Sequence, residues 1–133
     1  MKKRVLVTII VIVALILIWL FVRFIIGGNE DSWIKDKNGM YIKHGVPSQT
    51  PTEVLGQQES IVCALNLYQE KKNQEGRDFS SQCLGTCGDY AVDVVHVPRT
   101  SEDNLKENQC SDYPEKVKHF IELDKDGNIF RIV

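Results

Sequence analysis

No acidic residue precedes Glu30, no cysteine precedes Cys63, and no charge interrupts the run from Val5 to Val22. Each absence excludes something. With no cysteine close behind the apolar run, a lipid-modified N-terminus has no attachment point. With bulky Phe24, Ile25 and Ile26 where a small-x-small site would stand, the run does not read as a cleaved signal peptide, whose apolar core is shorter at about 7 to 15 residues. With nothing more polar than Thr8 inside it, Val5–Val22 as a helix covers roughly 27 Å at about 1.5 Å per residue, close to the hydrocarbon thickness of a bilayer. Arg23 can snorkel from one interface. Residues 5–26 are therefore expected to cross the cell membrane as an uncleaved anchor in contact with the lipid bilayer. Lys2, Lys3 and Arg4 hold the tip, residues 1–4, in the cytoplasm, which sends the C-terminal part outside as a single-pass, extracytoplasmic domain.

A basic surplus is also missing where it would matter. All 18 acidic residues but only 12 of the 16 lysines and arginines follow residue 26, so the outer part carries six negative charges in excess. Nucleic-acid binding needs a basic footprint, so no nucleic-acid partner is expected.

No low-complexity tract or internal repeat follows the anchor. Residues 27–32 read as a polar linker. Asn38-Gly39 between short apolar runs predicts a small hairpin within residues 33–50, since both residues accept positive φ. Residues 51–133 then form the main domain. Thr50 as cap, Pro51 at the first helical position and Glu53 three residues after the cap predict a helix to about Glu75, stopped by Gly76. On a helical wheel Val54, Ile61, Leu65 and Tyr68 share one face, Val62 and Ala64 border it, and Cys63 points nearly opposite. Tyr90 to Val97 reads as a strand ended by Pro98, and Arg99 to Glu115 as a long polar loop. Lys118–Leu123 and Asn128–Val133 read as a hairpin around Asp126-Gly127, with Leu123 facing Phe130, Ile121 facing Ile132 and Glu122 facing Arg131. The expected fold class is α+β: an N-terminal transmembrane helix, then one amphipathic helix packed on a small antiparallel β-sheet and stapled by disulfides.

Trp33, Gly39, Tyr41, His44-Gly45 and Pro47 together resemble a segment of uncharacterised small membrane-anchored envelope proteins of archaea and little-studied bacteria. The resemblance covers residues 33–47 and implies an envelope location without an activity. Trp33, Tyr41 and His44 are the candidate contact surface, although aromatics of this kind more often cover the edge of a small core.

Four cysteines, all beyond the anchor, imply two disulfides in an oxidising compartment. The favoured pairing is Cys63 with Cys83 and Cys87 with Cys110; the alternative closes Cys83 on Cys87. Thiol–disulfide exchange at Cys83 and Cys87 is disfavoured, because three residues separate them and a strand, not a helix N-terminus, follows. A metal site there lacks a second close ligand pair. His96 and His119 read as surface groups, and Asp93, three residues from His96 on a strand, points to the other face. Asp124-Lys125-Asp126-Gly127-Asn128 has its glycine at the wrong place for a calcium loop and is better explained by a turn. No nucleophile, base and orienting group come together, which points away from an enzyme and implies no cofactor. The reading is a membrane-anchored binding or interaction domain of unknown ligand, with a protein or envelope partner; the competing class is a redox or metal-binding accessory using Cys83 and Cys87.

Overall fold

The computed structural model describes residues 2–26, 31–76 and 78–133, so that residues 27–30 of the expected linker lie outside it. The chain divides into two compact units, Met1–Ile34 with Ile42–Thr50 and Lys35–Tyr41 with Pro51–Val133.

In the first unit, helix α1 (Lys2–Phe21) continues through a π-helical turn, Val22–Ile26. The Thr8 hydroxyl donates to the Arg4 carbonyl at 2.9 Å, so the one polar side chain of the run is satisfied within the helix. Lys3–Ile25 is long and apolar enough to cross a membrane, and none of it is buried in the protein. A helix apolar on every side and left uncovered in water would be costly; membrane anchors and signal sequences share this pattern. Arg23 pairs with Asp31 at 2.8 Å. Strands β1 (Ser32–Lys35) and β2 (Tyr41–His44) form a two-stranded sheet at the predicted hairpin.

The hairpin's turn belongs to the second unit. The Asp36 carboxylate accepts the N–H groups of Asn38 and Met40, at 2.8 and 2.9 Å, and organises a turn longer than the two residues expected. Only Gly39 takes a positive φ, 83°. A Cβ at Gly39 would lie 2.0 Å from the Ile132 carbonyl oxygen, so the turn can pack there only as glycine.

Helix α2 spans Thr52–Glu75, ending at Gly76 as predicted, but Pro51 is its N-cap and no side chain caps it. The Thr50 capping box is thus not formed. The buried face is also rotated from the expected one: Val54, Gln57, Ser60, Ala64 and Tyr68 are buried, whereas Val62 and Leu65 are exposed. Gln57 accounts for the difference. Its amide accepts the Tyr41 N–H at 2.8 Å and donates to the Gly39 carbonyl at 3.0 Å, so a polar residue is satisfied inside and the apolar stripe turns aside. Cys63, expected on the back of the helix, packs against the core.

A four-stranded sheet in the order β3-β4-β5-β6 receives this helix (β3 Cys83–Cys87, β4 Tyr90–Val94, β5 His119–Leu123, β6 Ile129–Ile132). It is mixed, not antiparallel: β4 and β5 run parallel. Residues 95–118 are long enough for a crossover, which delivers β5 in the same direction as β4 where a short hairpin would reverse it. Of the expected hairpin register, Ile121 opposite Ile132 and Glu122 opposite Arg131 hold, but a bulge pairs Leu123 with Ile129 in place of Phe130. The turn is correspondingly longer, with the Asp124 carboxylate accepting the N–H groups of Asp126 and Asn128.

The sheet has two covered faces. One carries Val92, Val94, Ile121, Leu123 and Ile132 against Ala64 and Tyr68 of α2. On the other, Ala91 and Phe120 meet Val117 and Tyr113 of the crossover. At the outer edge of β6 the Ile132 N–H donates to the Asn38 carbonyl at 2.7 Å, which caps a ladder position left unpaired by the sheet.

The disulfides join Cys63 to Cys87 and Cys83 to Cys110, so the favoured pairing is wrong and the two partners are exchanged. Cys83 and Cys87 are four residues apart and would share a face of a regular strand. A register shift between Cys83 and Gly85 inverts the alternation: Cys83 stands opposite Asp93 on the crossover face and Cys87 opposite Tyr90 on the helix face. Gly85 allows this with a φ of 144°, and a Cβ there would come within 3.3 Å of Leu67. Each cysteine thus finds its partner on the layer it faces.

Candidate binding site beneath the crossover

Strand register aligns Cys83, Asp93, Glu122 and Arg131 in one row across β3, β4, β5 and β6 on the crossover face. The crossover closes over this row and leaves a cavity of about 160 Å³. Its wall combines Asp93, Glu122, Arg131, Arg99 and Asp103 with the rings of Tyr113 and Phe120, which meet edge to face at 5.3 Å.

Each charge in the row has a distinct fate. Glu122, 5% exposed, accepts Arg131 Nε and Nη2 at 3.0 and 3.1 Å and is also paired with Arg99 Nη1. Arg99 Nη2 donates to the Asp103 carbonyl and to Asn104 Oδ1, at 3.1 and 2.9 Å. One guanidinium therefore ties the crossover to the sheet by way of a buried carboxylate.

Asp103 anchors the crossover a second time. It is the third residue of the loop's 3₁₀ turn, Ser101–Asn104, in a capping box with Thr100, and also accepts Gln82 Nε2 at 2.8 Å and the His96 N–H at 3.2 Å. Its oxygen lies 2.9 Å from His96 Nδ1. Burial pushes its pKa up, but the bonds from Thr100, His96 and Gln82 outweigh that and hold it at about 2.

Asp93 has the opposite environment. Burial, with the Glu122 charge beside it, raises its pKa to about 6 against the bond from the Cys110 N–H and the pull of Arg99. Its Oδ1 is buried and, among the described residues, has no hydrogen-bond partner. Such an atom needs water, a proton or a ligand.

Of the residues singled out in the sequence, Cys83 and Asp93 share this row and the expected contact surface lies elsewhere. Trp33 Nε1 donates to the Gln49 carbonyl at 3.1 Å with the Lys43 ammonium over its ring, and exposed His44 ends the same hairpin. Tyr41, in the second unit, has Lys35 over its ring at 5.2 Å. Cys83 and Cys87, the expected redox or metal pair, point to opposite faces of the sheet and are bonded to different partners. Cys83 and Cys110 do gather with Asp93, their ligand atoms within 4.8 Å of one another, but sulfurs bonded to each other offer no thiolates. His119 stacks on Tyr90 at 5.0 Å, and its Nε2 is 3.7 Å from Asp89.

The cavity residues escape a reading of the sequence because they are scattered over five elements. The one local signal is the Glu122–Arg131 pair, which hairpin register predicts, though as a pair on a half-exposed face. The chain matches no family model, no curated protein and no solved structure.

Proposed function

We propose that this is a single-pass membrane protein whose extracytoplasmic domain binds a ligand beneath the crossover. The observation that carries the reading is Asp93, a carboxylate with a buried oxygen unpartnered among the described residues, in the wall of a cavity of about 160 Å³, roomy against the roughly 30 Å³ of one water molecule. The membrane-length helix Lys3–Ile25 supports anchoring, and the two disulfides support an oxidising, extracytoplasmic setting for the domain. Lys2, Lys3 and Arg4 favour a cytoplasmic N-terminus. The partner so held is a protein or envelope component that presents a small group to the cavity.

Topology is tested by alkaline extraction and by protease added to intact cells. The anchored reading expects full-length chain in the membrane pellet and loss of the C-terminal domain to external protease; a soluble chain with a shortened N-terminus overturns it. Binding is tested with a photoreactive residue in place of Gln109, at the exposed rim of the cavity, in cells. A recurrent adduct of constant mass, absent when the same residue replaces Leu55 on α2, is expected; equal labelling at both positions, or none, overturns the binding reading.

A further inference from the structure

We propose that the cavity receives the protonated primary amine of its ligand, with Asp93 as the counter-charge. This rests on the binding reading above and names the chemistry of the group bound.

Asp93, Asp103 and Glu122 supply the cavity wall with three carboxylates, and Arg99 and Arg131 with two guanidiniums. Glu122 takes both arginines, and Asp103 takes Thr100, Gln82 and His96. The wall thus carries one negative charge in excess, and Asp93 is the carboxylate with an oxygen that, among the described residues, lacks a donor. Asp93 also stands abreast of Glu122 on the neighbouring strand, where the two like charges repel.

The same inventory decides against other ligands. An anion is disfavoured by the wall's charge, since both guanidiniums already pair with Glu122, and Asp93 and Asp103 add two further carboxylates. A hard divalent cation wants six or more oxygens and would have to pull Glu122 and Asp103 from their partners. A primary ammonium needs one carboxylate and a few acceptors, and the carbon beside it can lie against the Tyr113 ring, while the Phe120 ring carries the Arg131 guanidinium at 5.0 Å.

The groups around Asp93 come from every packed element: Glu122 from β5, Arg131 from β6, Arg99, Asp103 and Tyr113 from the crossover, and Cys83, in its disulfide, from β3; His96 is bonded to Asp103. His96 is the imidazole bonded to the cavity wall, by way of Asp103. A pH experiment must separate it from Asp93.

The test uses the full chain in detergent micelles, titrated with propylammonium, 1-propanol and propionate at about pH 7.5, where the amine is charged. Amide shifts at Phe120 and Asp93 report binding. Saturable shifts with propylammonium, at least about tenfold weaker with the alcohol and the acid, are expected. Asp93→Asn is expected to remove the preference. Should that variant fail to fold, the native chain at about pH 5, with Asp93 protonated, is expected to lose at least about tenfold in affinity, and His96→Gln to lose as much. Equal responses to the three probes, no saturation, or affinity unchanged at the lower pH would overturn the proposal. If the Gln109 adduct forms and propylammonium does not bind, the amine assignment fails while the binding reading stands.

Discussion

Asp93 and Glu122 stand side by side on the parallel strands β4 and β5, two carboxylates on one face of the sheet with different partners. Glu122 is clasped by Arg131 from the next strand and by Arg99 from the crossover. Asp93 lines a cavity and keeps a buried oxygen that, among the described residues, is unpaired. The difference follows from position: Glu122 lies next to β6, which offers an arginine, whereas Asp93 lies next to β3, which offers the sulfur of Cys83.

The pH dependence of stability should show this. The folded pKa of Asp93, about 6, lies above the ordinary 3.8, so the folded state holds that proton more tightly than the unfolded chain. Its contribution is full below about pH 4 and is lost as pH rises through 6, a change on the order of 3 kcal/mol. Asp103 works in the other direction, its contribution present above about pH 4 and lost as pH falls through 2. Thermal melts of the full chain are expected to show a decline from pH 4 to 6 that Asp93→Asn flattens; an unchanged slope would remove Asp93 as its source.

Non-reducing digestion followed by mass spectrometry should recover peptides linking Cys63 to Cys87 and Cys83 to Cys110. Replacing either pair by alanine is expected to cost about 3 kcal/mol, since each bridge closes a loop of some 25 residues, with sequence separations of 24 and 27. Recovery of a Cys63–Cys83 peptide would contradict the layer assignment of the two cysteines.

Gly85→Ala should destabilise by roughly 1 to 3 kcal/mol, because the new Cβ demands an unfavourable φ and presses on Leu67. Denaturant midpoints measure it. A neutral result would mean that the backbone at residue 85 does not need the conformation that moves Cys83 and Cys87 to opposite faces.

Gln57→Leu keeps the volume of a buried side chain and removes its two bonds to the hairpin turn. A loss of about 1 to 3 kcal/mol is expected from the stranded Tyr41 N–H and Gly39 carbonyl. Faster hydrogen exchange at Tyr41 would accompany it. A stabilised variant would show that the rotated face of α2 owes nothing to that amide.

Much of this architecture is legible locally. The uncharged run from Val5 to Val22, the Gly76 stop of α2 and the facing of Glu122 and Arg131 all depend on residues near in sequence. The helix face is less legible: Val62 and Leu65 have the hydropathy of core residues, yet Gln57 is the buried one because the Gly39 and Tyr41 backbone meets it there.

Long-range geometry decided the rest. Composition and period established an apolar helix able to span a membrane, an amphipathic helix, the later strands and four cysteines destined for disulfides. Only the tertiary structure could set β4 parallel to β5, since that depends on the path of residues 95–118 over the sheet. Only the register shift at Gly85 could send Cys83 and Cys87 to opposite layers. The cavity belongs to the same class: its charges lie far apart in sequence and acquire partners, or in the case of Asp93 Oδ1 lack one, when the strands align and the crossover closes.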